Sequence, residues 1–134
     1  KAEADFISAG QVLRFRESTN YDLVCFLCQQ SAEKYLKARL CESGIAFPRT
    51  HDLIVLLELE KQGGSTWLAL RKLAGELTDY AVDFRYPGFK ATLARARKAL
   101  TGCNRIRRAT RSSLNLPAHP APRSVNRTRR RKKP

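Results

Sequence analysis

Within Gln29-Gln30-Ser31-Ala32-Glu33-Lys34-Tyr35-Leu36-Lys37, the side chains of Gln30, Glu33, Lys34 and Lys37 recur every three or four residues. On a helix this spacing stacks them into one polar ridge along an otherwise apolar element, a candidate ligand-binding surface. For Glu33 and Lys37 alone, an i,i+4 ion pair is the plainer reading. Thr50-His51-Asp52-Leu53 adds an imidazole beside two residues able to cap a helix. His51 is open to three roles: binding, titration near neutral pH, or capping the end of its helix. Arg85-Tyr86-Pro87-Gly88 sets a guanidinium just before a helix-ending proline, and its rigid fork of donors matches phosphate oxygens in pairs. The structural alternative for Arg85 is to satisfy the last carbonyls of its own helix. Tyr86 and Tyr80 offer faces on which a base stacks, while aromatics at helical spacing also serve as core.

The elements that position these groups read as helices throughout. Apolar residues recur with a helical period, and no stretch alternates as a half-buried strand does, so the fold class is all-α, an up-and-down bundle of about five helices. A first helix is expected over 2–16, with Phe6, Ile7, Val12 and Leu13 inward and Arg14 and Arg16 near its C-terminal end. Asn20 or a neighbour opens a second over 21–43. It is apolar on more than one side (Leu23, Val24, Phe26, Leu27, Ala32, Tyr35, Leu36, Leu40) and is therefore central. Gly44 can take the left-handed conformation that ends it, and Pro48 blocks a restart. Thr50 is expected to cap a third helix, with Asp52 in its first turn and Leu53, Val55, Leu56, Leu57 and Leu59 buried. Gly63-Gly64 precedes a fourth, capped by Ser65 or Thr66, in which Trp67, Leu70, Leu73, Leu77, Tyr80, Ala81 and Phe84 form the stripe before Pro87-Gly88 turns the chain. The fifth, from about Ala91 to Ala109, buries Leu93, Ala96, Leu100, Cys103 and Ile106 and turns Arg95, Lys98, Arg105 and Arg108 outward.

Charge divides the chain. Residues 1–94 carry 12 basic and 12 acidic side chains, whereas residues 95–134 carry 14 basic ones and no acid, which accounts for the net charge of +14. A neutral body with a basic C-terminal third suits a polyanion such as nucleic acid, or an acidic partner; a solvated tail that aids solubility is the plain alternative. Arg95, Lys98, Arg105 and Arg108, followed by Arg129, Arg130, Arg131, Lys132 and Lys133, are the candidate nucleic-acid contacts. After about Asn115 little remains to bury, so the expected division is a bundle over 1–112 and a disordered basic tail over 113–134.

A chain of 134 residues has room for one domain and one core. It has neither a spanning apolar run nor the features of a signal peptide, so a soluble, cytoplasmic protein is expected. It begins at Lys1 and contains no Met, which puts the expected start of its reading frame upstream. Cys25, Cys28, Cys41 and Cys103 are expected to be free thiols: Cys25-Phe26-Leu27-Cys28 lies inside a helix, and no second pair stands near to complete a zinc site. No metal or cofactor is expected.

In their order and spacing, the ridge, the Thr50-His51-Asp52-Leu53 turn and Tyr80 with Arg85-Tyr86-Pro87-Gly88 resemble the HEPN family, small α-helical domains linked to nucleotides, nucleotidyltransferases and RNA. The resemblance implies that these groups meet at one end of the bundle, that the domain forms a homodimer, and that a minimal nucleotidyltransferase is a frequent partner, in some cases as part of a toxin–antitoxin pair. The family's ribonucleases place a His four to six residues after an Arg. Here Arg85 is followed by Tyr86, Pro87, Gly88, Phe89, Lys90, Ala91 and Thr92, and the remaining histidine, His119, falls in the tail. No imidazole is thus spaced to act as acid or base beside Arg85, and no catalytic residue is assigned. Leu27 also stands where relatives of this subgroup often carry a polar residue such as His. The expected function is a nucleotide- or RNA-associated binding module. The alternatives are a toxin ribonuclease and a nucleic-acid-binding dimer that relies on its basic tail.

Overall fold

A computed structural model describes residues 1–14, 20–60, 64–83 and 90–117. Among them are six helices and no strand: α1 (Ala2–Arg14), α2 (Tyr21–Glu42), α3 (Leu53–Leu59), α4 (Gly64–Ala69), α5 (Arg71–Asp83) and α6 (Leu93–Ser113). The architecture is the all-α bundle that the apolar period requires.

α2 is the axis of the bundle, in contact with α1, α3, α5 and α6. That position explains why its sequence is apolar around more than one face. Val24, Cys28 and Ala32 are fully buried, and Leu36 and Leu40 are 2% and 1% exposed. Removing each such leucine from water stabilises the fold by roughly 1.5–3 kcal/mol. Tie points fix the directions of the neighbours. The Ser31 hydroxyl donates to the Ala2 carbonyl at 2.7 Å, so the start of α1 lies beside the middle of α2. Asp22 accepts from the Ala91 amide near one end and Arg111 donates to the Tyr35 hydroxyl farther along, so α6 runs in the same direction as α2. Thr78 of α5 accepts from the Leu53 amide at 3.0 Å while Arg71 meets Glu58 at 3.0 Å, which sets α3 antiparallel to α5. Gly75 permits this approach, because a Cβ there would stand 3.2 Å from Ile54 Cδ1.

Helix ends follow local chemistry. Asn20 caps α2 by accepting from the Leu23 amide at 3.0 Å. At the other end Gly44, with φ of +68°, closes the helix: the Ile45 amide reaches the Leu40 carbonyl at 2.9 Å and the Gly44 amide that of Cys41 at 3.1 Å. Space is open around Gly44, so Gly44→Ala meets only the left-handed backbone penalty. An expected loss of about 1–2 kcal/mol in urea denaturation checks this; an unchanged midpoint would contradict it. α6 closes in the same manner on Asn115, at φ 57°. Its start is capped by Thr92, which accepts from the Arg95 amide at 3.2 Å.

Several expectations need correction. Asp52, not Thr50, caps α3, accepting from the Ile54 amide at 2.9 Å; its carboxylate stands next to the first helical residue, while Thr50 is left to accept from the Asp52 amide at 3.0 Å. The expected fourth helix is divided at Leu70, whose amide bonds back three residues to Trp67 at 3.1 Å, a tight turn that lets both side chains, each 7% exposed, enter the core. Ser65 and Thr66 fall inside α4 instead of before it. Ile7 is 50% exposed, because α1 buries the narrow stripe through Phe6, Ala9 and Leu13 and Ile7 falls beside it. Leu93 is 37% exposed, since it opens α6 ahead of the buried stripe that starts at Ala96. Arg16, Ala81, Phe84, Pro87-Gly88 and the sequence from 118 onward lie outside what the structure describes of backbone or side chain.

Candidate functional site

Glu33 is the centre of the first polar cluster. Its side chain is only 8% exposed and accepts from Lys37 Nζ at 2.8 Å, Gln29 Nε2 at 2.9 Å and His51 Nδ1 at 2.9 Å. Gln29, fully buried, also donates to the His51 carbonyl at 3.0 Å and accepts from Gln30 Nε2 at 2.8 Å. A four-residue ladder on α2 therefore grips the segment that leads into α3. Burial pushes the Glu33 carboxyl up, but hydrogen bonds from Lys37, Gln29 and His51 outweigh it and hold the group below its ordinary value of 4.5. Glu33 is thus an ionised acceptor, which keeps a proton on His51 Nδ1. In the neutral ring Nε2 is left with its lone pair, on a side chain that is 61% exposed.

Of the residues expected at the site, the structure joins Glu33, Lys37 and His51 directly and Gln30 through Gln29. Lys34 turns away to Asp5 of α1, so the ridge parts between two neighbours. The ridge and the His51 turn meet at the middle turns of α2. Arg85 and Tyr86 lie outside the described residues, two and three positions beyond the end of α5. Gln29 was missed as a site residue, although the Gln29-Glu33-Lys37 register carried the signal.

A second polar network was not anticipated. Arg107, with a side chain 2% exposed, donates from Nε to Glu3 Oε2 at 2.8 Å and from Nη2 to Glu3 Oε1 at 2.7 Å. It also reaches Asn104 Oδ1 at 3.3 Å and lies 4.6 Å from the centre of the Phe6 ring. The Tyr35 hydroxyl bonds to Glu3, and Arg111 donates to Tyr35 at 3.3 Å and to the Pro117 carbonyl at 2.6 Å. The stripe Ala96-Ala99-Cys103-Ile106-Thr110, continued at helical pitch, passes over Arg107 and Arg111, and that was the signal available. Both arginines are consumed in holding α1 onto α2 and α6.

The outer face of α6 is as expected: Arg95, Lys98, Arg105 and Arg108 are all exposed, and Arg97 joins them. Arg129, Arg130, Arg131, Lys132 and Lys133 lie outside the described residues. Between α5 and α6 opens a cleft of about 380 Å³ lined by Glu76, Asp79, Tyr80, Ala94, Arg95 and Lys98. Lys98 Nζ stands 3.3 Å from Glu76 Oε1. Burial, with Glu76 beside it, pushes the Tyr80 phenol up, so it stays neutral.

Cys25, Cys28 and Cys103 are buried free thiols and Cys41 is exposed; burial pushes Cys25 up to about 11, far from a reactive thiolate. Among the described residues no three His, Cys, Asp or Glu side chains gather so as to hold a metal ion, and no helix is long and apolar enough to cross a membrane.

The family model of the HEPN domain matches residues 1–113, that is, α1 to the end of α6. The chain belongs to the HEPN domain family. No curated protein and no solved structure matches it. Membership makes this HEPN domain, in general terms, a nucleotide- or RNA-associated module. Its described residues bear two distinct polar surfaces, the Glu33–His51 cluster and the basic flank of α6 beside its cleft.

Proposed function

We propose that this HEPN domain is a binding module for a nucleotide or RNA that works beside a minimal nucleotidyltransferase, as a cytoplasmic homodimer and as one half of a toxin–antitoxin pair. The observation that carries the binding reading is the exposed row Arg97, Arg105 and Arg108 on a helix without a single acid. Such a row neutralises phosphates wherever a strand lies along it. Lys37 and His51, held at the surface by buried Glu33, and Arg85 and Tyr86 just past α5, are the proposed contacts to the ligand itself.

Titration of a single-stranded RNA over a range of salt concentrations tests this. Arg105→Ala with Arg108→Ala removes two phosphate contacts and is expected to flatten the salt slope by about 1.4, at about 0.7 per contact on a single strand. A slope unchanged by the pair would take α6 out of the interface. Cutting the chain after Asn115 separates the contribution of the tail. For the homodimer, light scattering that returned only a 15.2 kDa species at every concentration would remove the claim.

The ribonuclease reading has one observation in its favour: an exposed imidazole set through Nδ1 on a buried carboxylate, with no partner for Nε2 among the described residues. Metal-independent RNA cleavage abolished by His51→Ala, with helical content kept, would favour it over binding alone.

A further inference from the structure

The α5–α6 cleft is poorly suited to a polyanion. Its two cations, Arg95 and Lys98, face two carboxylates, Glu76 and Asp79, so its lining is neutral in a chain of net charge +14. A phosphate chain drawn through it would meet both acids. At about 380 Å³ it falls within the range of roughly 300–1,000 Å³ usual for small-molecule sites.

The registers of the two helices arrange the lining. Glu76, Asp79 and Tyr80 stand at i, i+3 and i+4 on one face of α5, and Arg95 and Lys98 at i and i+3 on α6. The helices are antiparallel, with Lys98 level with Glu76, to which it is ion-paired at 3.3 Å, and Arg95 toward Tyr80. The Asp79 carboxylate is exposed and makes no hydrogen bond or ion pair among the described residues. An ionised carboxylate only accepts, so its complement is a ligand group with donors.

We propose that this cleft seats a single ribonucleotide: the phosphate at Arg95 and Lys98, the base against Tyr80, and the ribose 2′- and 3′-hydroxyls donating to the two oxygens of Asp79. A vicinal cis-diol presents two O–H donors side by side, which is the complement of one carboxylate. A deoxyribose lacks one of them and leaves an acceptor unmatched. The inference rests on the nucleotide-binding reading above; it gives a single nucleotide a seat apart from Lys37, His51, Arg85 and Tyr86 and adds the sugar that is chosen.

The test is calorimetric titration of the full chain with AMP, dAMP and GMP, in parallel with single-stranded RNA titrated at varied salt. AMP is expected to bind about tenfold more tightly than dAMP, a loss in keeping with one hydrogen bond to a charged group. Asp79→Ala is expected to abolish that difference while helical content and RNA affinity are kept. Equal affinity for AMP and dAMP, or no mononucleotide binding beside intact salt-dependent RNA binding, would overturn the ribose assignment and leave the binding module standing. A preference for GMP that Asp79→Ala removed would assign the carboxylate to a base edge and likewise overturn it. Loss of all binding, RNA included, by the parent chain would sink the underlying reading as well.

Discussion

Arg107→Ala is expected to lose about 3–5 kcal/mol of stability in urea denaturation, the usual cost of removing one partner of a buried ion pair. Arg107 is 1% exposed, and its guanidinium meets both oxygens of Glu3 in a bidentate pair while it lies over Phe6. Truncation leaves Glu3 with the Tyr35 hydroxyl and with Arg111 at 3.9 Å, and it opens a void beside Phe6 and Asn104. Native domains are stable by only about 5–15 kcal/mol, so the variant is expected to be partly unfolded at modest urea. Arg107→Lys serves if Arg107→Ala does not fold: it keeps the charge but loses the fork, and an intermediate loss is expected. Replacing both charges, Glu3→Gln with Arg107→Met, should cost less than Arg107→Ala alone, because no buried charge is left unmatched. A loss below about 1 kcal/mol for Arg107→Ala would show that α1 is held by apolar packing through Phe6, Ala9 and Leu13, with the ion pair contributing little.

The contrast between Arg107 and Gly44 shows which parts of the fold were legible in the sequence. Gly44 acts through its own backbone, and a local conformational rule suffices to place the end of α2 there. The buried faces of α2 and the stripe of α6 were likewise legible, because helical pitch maps sequence directly onto one side of a cylinder. Arg107 lies on that same stripe, but its charge reads as solvent-facing until its partner is known, and Glu3 is 104 positions away. The same holds at the site. The Glu33–Lys37 step is visible locally, whereas the grip of Gln29 on the His51 carbonyl and the diversion of Lys34 to Asp5 arise from tertiary approach. Asp52 displaced Thr50 as cap because two competent residues stood two positions apart, and their order could be settled only by where Leu53 enters the core. The pairing of acids on α5 with cations on α6 was also hidden, since neither helix alone indicates which face of the other it will meet.

Glu33→Ala is expected to cost about 2–3 kcal/mol at neutral pH, and the loss should depend on pH in a defined direction. The substitution leaves the fully buried Gln29 amide short of an acceptor and strips Lys37 and His51 of their shared partner. Lys37 and His51 can turn to water, which keeps the cost below that of Arg107→Ala. The folded-state pKa of Glu33 is depressed below its ordinary value of 4.5, so the carboxylate contributes stability that is fully present above about that pH. As pH falls through the depressed value, the folded state takes up the proton and the contribution is lost. The gap in stability between parent and Glu33→Ala should therefore be widest near neutrality and narrow progressively below pH 4.5. Glu3 is depressed in the same direction, where burial pushes it up but Arg107, Tyr35 and Arg111 outweigh that, so the Glu33→Ala variant should still lose stability in acid, though less steeply than the parent. Glu33→Gln separates charge from shape: it keeps an oxygen for one donor, so it should retain part of the stability while losing the pH-dependent part. A gap that stayed constant from neutrality down to about pH 3 would mean that Glu33 acts through packing alone. In that case the ionised acceptor that fixes the proton on His51 Nδ1 would be lost from the site, and with it the support for His51 as a surface contact held in one tautomer.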